Sequence, residues 1–158
     1  MFEKYHQYSR TPEVAYNNPV RCMDFTCIDK VDEKIRAVED KLKFIFPEEL
    51  KCFYKELGCG FMPKVEDDFC VNRFLAPDEI LDFYEGNDFY ATDERQDYYS
   101  TFDGRSLIFY EVDSDVFMTI KLTGSDAGSI YYFDTGVASS VLEFIERMLE
   151  KHNYYLEL

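Results

Sequence analysis

No tryptophan occurs in this chain, and histidine occurs only at positions 6 and 152, near its two ends. Without Trp, large-ring packing falls to 15 Phe and 13 Tyr, so phenylalanine and tyrosine carry most of the core filling. The cysteine pairs Cys22/Cys27 and Cys52/Cys59 miss the two-residue spacing of common zinc sites, and neither histidine lies near them in sequence, so no metal site is expected. Basic residues are scarce as well: 17 Lys plus Arg stand against 32 Asp plus Glu, a net charge of −15. That balance argues against nucleic-acid binding, which rests on clustered cations facing phosphates. No apolar run approaches the roughly 20 residues of a membrane-spanning helix. No signal-peptide pattern is present, so the five cysteines (22, 27, 52, 59 and 70) are expected as reduced thiols in a cytoplasm.

Catalytic patterns are missing too. Gly58-Cys59-Gly60 and the Gly124–Gly128 stretch lack the context of a phosphate-binding loop and read as turns. Glu66-Asp67-Asp68 and Asp113-Ser114-Asp115 lack the alternation and terminal glutamate of a calcium loop and read as solvated turn acids. Cys59 follows a helix instead of opening one, so no dipole activates its thiol. Neither a cofactor nor a catalytic residue is expected.

What remains is a single globular domain. A chain of 158 residues, 46% hydrophobic, buries roughly 70% of its unfolded surface. Its charge is unevenly spread: between Glu66 and Asp115 fifteen acids face three cations, Arg73, Arg95 and Arg105, so twelve of the fifteen net charges sit in the middle third. Two readings of that field are open, a solvated face that keeps the protein soluble and a face that meets a basic partner.

Periodicity places four helices, at about 27–43, 47–57, 77–85 and 140–151. The first starts from a Thr26 N-cap and carries Ile28, Val31, Ile35, Val38 and Leu42 on one face; its charged residues, Glu39 among them, read as a solvated face. Ser140 and Glu143 form a capping box for the last. Aromatic and β-branched runs near 107–111, 116–122 and 129–134, joined by short turns, predict an antiparallel meander, with further extended chain at 61–63 and 70–75. The fold class is α+β, with helices packed around an antiparallel sheet; residues 1–25 read as an irregular arm packed on a domain spanning 26–158.

The most informative stretch is Phe46-Pro47-Glu48-Glu49-Leu50-Lys51-Cys52-Phe53-Tyr54-Lys55-Glu56-Leu57-Gly58-Cys59-Gly60-Phe61. Pro47 opens a helix where its missing N–H has no partner, two glutamates meet the positive end of the dipole, and Gly58 supplies a left-handed stop. This string resembles the signature of the SMI1/KNR4 family, also called SUKH. Phe74 to Ile80, Ser129 to Asp134 and Ser140 to Leu149 follow in the order that family requires, so the resemblance runs from about Thr26 to His152. Many members carry a tryptophan ahead of the first helix, a place that Phe25 or a neighbouring ring fills here.

The resemblance implies binding and no catalysis. Bacterial members are mostly regarded as immunity proteins that occlude a cognate polymorphic or contact-dependent toxin, and fungal members as regulators of cell-wall synthesis and signalling. The expected partner is thus a toxin domain, a basic protein such as a nuclease, with a regulatory scaffold as the second reading and a metal-dependent or hydrolytic enzyme a distant third. The candidate partner-binding residues lie in the acidic, aromatic segment 88–103: Asp93, Glu94, Asp97, Tyr98, Tyr99 and Asp103. Tyrosine supplies rigid contact area with a polar tip, and flanking carboxylates steer a basic partner. The alternative is that these rings cover the sheet and belong to the core, and the exposure of Tyr98 and Tyr99 discriminates between the two.

Overall fold

A computed structural model describes residues 1–11 and 23–158. Pro12, Tyr16, the Asn17-Asn18 pair, Pro19 and Cys22 lie outside the described residues. Among the described residues, eight strands form one sheet in which each strand lies beside the next in chain order: β1 (Ser9–Arg10), β2 (Asp24–Thr26), β3 (Cys59–Phe61), β4 (Arg73–Phe74), β5 (Ser106–Glu111), β6 (Phe117–Lys121), β7 (Ile130–Tyr132) and β8 (Thr135–Ala138). The β1–β2 pair is parallel and the others are antiparallel. The helices are α1 (Val31–Leu42), α2 (Glu48–Glu56), α3 (Pro77–Glu85), the single turn α4 (Gln96–Tyr99) and α5 (Val141–Glu150). The chain is therefore α+β, and the four long helices and three central strands fall where the periodicity puts them.

Strand alternation sorts the core onto two faces. Phe74, Tyr110, Met118 and Tyr132 form one cross-strand row, and Arg73, Glu111 and Phe117 the next. On the first face α2 stacks Phe53 on Phe74, with ring centroids 4.2 Å apart, and α5 sets Phe144 edge-on to Tyr110 at 4.9 Å. On the other, α3 brings Phe83 edge-on to Phe117 at 4.9 Å. Phe2 and Phe25, both fully buried, extend the aromatic column by meeting Phe53 edge-on.

Three local expectations are corrected. Thr26 caps no helix: it belongs to β2, and α1 begins only at Val31, after Lys30 turns the chain through a left-handed conformation (φ 52°). Gly58-Cys59-Gly60 is not a turn, because Cys59–Phe61 is β3, paired with β2. The glycines are needed there for proximity. A Cβ on Gly58 would lie 1.9 Å from the Thr26 carbonyl oxygen, and one on Gly60 2.1 Å from that of Asp24. Glu39, finally, is buried; its carboxylate accepts from the Phe46 N–H at 2.8 Å and faces the Lys51 ammonium at 3.4 Å, tying α1 to the connector that leads into α2.

Helix termini are closed from a distance. The Glu143 N–H donates to Ser140 Oγ (3.1 Å), while the Glu143 carboxylate reaches back to Ser139. The Glu49 carboxylate, which the sequence places at the head of its own helix, accepts from the N–H groups of Val141 (3.1 Å) and Leu142 (3.0 Å) and so caps α5. At the sheet's C-terminal edge the Val137 carbonyl of β8 accepts from Arg147 Nη1 (2.6 Å) and from the Tyr154 hydroxyl (2.9 Å).

Candidate partner-binding site

The six residues singled out from sequence divide into three groups. Asp93 is turned inward, its side chain 9% exposed, and holds Arg95 in a bidentate pair (Nε to Oδ1 2.9 Å, Nη2 to Oδ2 2.7 Å). Arg95 continues to Glu111 (2.6 Å) and to the backbone carbonyl of Asp113 (2.9 Å), with its guanidinium 4.1 Å from the centre of the Phe117 ring. Glu111 also takes Arg73 (2.7 Å), which reaches Glu79 (2.8 Å). Two arginines and three carboxylates thus form one internal network on the α3 side of the sheet. Hydrogen bonds from Arg95 hold the Asp93 carboxyl below its usual range. Burial works against charge on both arginines, but Asp93 and Glu111 around Arg95, and Glu79 and Glu111 around Arg73, outweigh it and raise their pKa.

Tyr99 is also spent inside. Its hydroxyl donates to the Phe117 carbonyl (3.2 Å) and accepts the Phe117 N–H (3.3 Å), and burial pushes its pKa up to about 12. Tyr98 points the other way: it is 64% exposed, edge-on to Phe133 at 5.5 Å, and Phe133 is itself 41% exposed. The tyrosine pair therefore contributes one residue to the core and one to the surface.

Glu94 and Asp97 are exposed. Asp103 is exposed too, but it sits apart from them. Its carboxylate accepts from the N–H groups of Arg105 and Ser106 where β5 begins, whereas Arg95 reaches the chain just past the far end of that strand.

The segment 93–98 gains neighbours that the sequence did not reveal. The β5–β6 connection at 112–116 accepts Arg95 on one side; on the other, the N–H groups of Val71 and Asn72 donate to the Val112 carbonyl (2.7 and 3.2 Å). The Met118↔Tyr132 register brings the Phe133-Asp134 turn to the same end, where Phe133 adopts a left-handed φ of 52°. Four separate stretches thus converge at one end of the sheet. They carry the exposed carboxylates Glu66, Asp67, Glu94, Asp97, Asp115 and Asp134. Among the described residues none of these six is paired with a cation. Arg95 is the organising residue the sequence reading passed over; a lone cation two places after Asp93 in an acidic run was its only signal.

Among the described residues, no group of three or more His, Cys, Asp or Glu side chains is placed to hold a metal ion, and no helix is long and apolar enough to cross a membrane. Cys27, Cys52, Cys59 and Cys70 are free, and burial, reinforced by Glu79 and Asp78, raises the Cys59 thiol to about 11. That thiol is held in its protonated, unreactive form.

Helix α2 with its Leu50, Phe53 and Tyr54 face, the β3 strand that follows Gly58 and the meander after it define the class. Residues 31–147 match the model of the SMI1 / KNR4 family (SUKH-1), and the chain belongs to that family. Within it, the chain is similar to "Immunity protein YxxD" of Bacillus subtilis (strain 168), with 36% identity over 126 residues that cover 79% of this chain and 84% of that protein. No solved structure matches the chain.

Proposed function

We propose that the protein is an immunity protein: a non-enzymatic binder that neutralises a cognate toxin domain by covering it inside the cell that produces both. The relative from Bacillus subtilis, which carries that role in its name, supports the reading. The observation that carries it further is the composition of the sheet end, where unpaired exposed carboxylates surround exposed rings and none of them is needed to hold the fold. Carboxylates of this kind add little to stability but accelerate encounter with an oppositely charged surface, while an exposed ring beside them supplies contact area once the partner has docked. The toxin is accordingly a basic protein, and Glu94, Asp97 and Tyr98 lie on the surface that meets it. Asp93 and Tyr99 support that surface from beneath, and Asp103 lies outside it.

The test is co-expression of this chain with the toxic domain encoded beside its gene. Restored growth and a complex that survives gel filtration are expected. A gene neighbourhood without such a toxin, or continued killing with no complex formed, overturns the assignment.

A further inference from the structure

Residues 62–72, which connect β3 to β4, form a pinned loop. The Met62 N–H donates to the Asn72 carbonyl (2.9 Å), Asp68 accepts the Cys70 N–H (2.9 Å), and the Asp68 carboxylate lies 3.2 Å from His152 Nε2, beyond α5. Fixed in this way, the loop and Phe61 at the end of β3 wall a cleft of about 870 Å³. Its rim is apolar and open: Phe69 is 96% exposed, with Phe61 and Val71 also exposed, and Leu149 of α5 exposed nearby. A phenylalanine held fully in water by a loop anchored at both ends contributes nothing to the core, and the ordering cost of presenting it is already met in the free protein.

Glu66 and Asp67, three and two residues before this ring, line the same cleft, exposed and unpaired, and Lys64 is the one exposed cation on the loop. The cleft also adjoins the surface described above, since Val71 and Asn72 bond Val112 while Arg95 bonds Asp113. We propose that the cleft walled by residues 61–72, with Phe69 as its anchor, is the second half of the toxin-binding surface and receives an apolar side chain carried on a lysine- or arginine-bearing segment of the toxin. The inference rests on the immunity reading. Charge selects the occupant: a second copy of this acidic chain would bring like charges together against Glu66 and Asp67, whereas a basic segment is attracted to them.

The test uses the purified toxic domain encoded beside the gene, made inactive, and follows binding kinetics with Phe69→Ser, Phe61→Ser, the double variant Glu66→Lys/Asp67→Lys, and Tyr98→Ser. Phe69 and Phe61 make no core contact on which folding depends, and thermal unfolding checks that each variant is intact. The expected result is a dissociation rate raised about tenfold or more by Phe69→Ser, with the charge reversal acting on association. If Tyr98→Ser weakens the complex while Phe69→Ser leaves it unchanged, the cleft is excluded and the immunity reading stands. If the wild-type chain does not bind the domain at all, both fall. Sedimentation of the free protein as a dimer that Phe69→Ser dissociates overturns the proposal in favour of a self-interface.

Discussion

Gly58 and Gly128 share a left-handed φ, +95° and +92°, but only the first has no room for a side chain. Gly128→Ala meets nothing within 4 Å and should cost only the backbone strain of an L-residue there, about 1–2 kcal/mol. Gly58→Ala must also push β2 away from β3, and should prevent folding or lower the melting temperature far more; equal losses in the two variants would remove the proximity argument. The buried network makes a prediction about acid. Asp93 is held below its ordinary pKa by hydrogen bonds from Arg95, and Asp68 by the Cys70 N–H, so each is ionised in the fold at pH values where the unfolded chain takes up a proton. Their stabilisation is complete above about pH 5 and is lost as pH falls through the ordinary carboxylate range, near 4, and below it. Asp82, raised by burial, works in the opposite sense. Melting curves between neutral pH and pH 3 should therefore fall toward acid, and Asp93→Asn should flatten that fall while lowering the neutral value. Arg95→Met, which strands the Asp93 carboxylate and leaves Glu111 with Arg73 alone, should cost about 3 kcal/mol or more by urea unfolding.

At the scale of elements, α5 is the helix whose start is held most firmly from elsewhere. Ser140→Ala removes a local cap and should cost about 1 kcal/mol. Glu49→Gln weakens two charge-assisted bonds that join α2 to α5, and should cost as much or more by the same measurement, despite lying 92 residues away from Val141. This second contribution explains what the sequence conveys and what it does not. Spacings of three and four residues locate α1, α2, α3 and α5, and aromatic runs locate β5, β6 and β7, because local periodicity is the imprint of one buried face. Glu39 and Glu49 fall at positions where glutamate ordinarily meets water, and only the packing of a distant segment turns them inward. The strands β1, β2, β3 and β8 hold two to four residues each, too few for an alternation to register, while β4 falls within the extended chain expected at 70–75. The acidic, aromatic stretch is legible in the sequence; which of its side chains reach solvent is not. Asp93, Tyr99 and Asp103 were sorted from Glu94, Asp97 and Tyr98 by the position of Arg95 and the direction of β5, neither of which a linear pattern encodes.

Taken as a whole, the molecule gathers, among the described residues, six unpaired exposed acids at one end of the sheet while others, Asp103 among them, lie elsewhere, which gives charge reversal a built-in control. Replacing Glu94, Asp97 and Asp134 with lysine should slow association with the proposed basic toxin by about tenfold at low salt and reduce its salt dependence, because exposed charges act on the encounter. Lysine at Asp103, at the start of β5, should change neither. Stopped-flow association at two ionic strengths decides between a localised surface and a diffuse field, and equal slowing by both variants would favour the latter. The sheet has a further consequence in time. Its strand order is its chain order, so each strand leaving the ribosome finds its neighbour already made, and the sheet can grow at the pace of synthesis. The last strand, β8, emerges with a bare edge, and the groups that cover its Val137 carbonyl arrive 10 and 17 residues later with Arg147 and Tyr154. At roughly 5–20 residues per second, the interval in which a second nascent chain could add to that edge lasts only about one to three seconds.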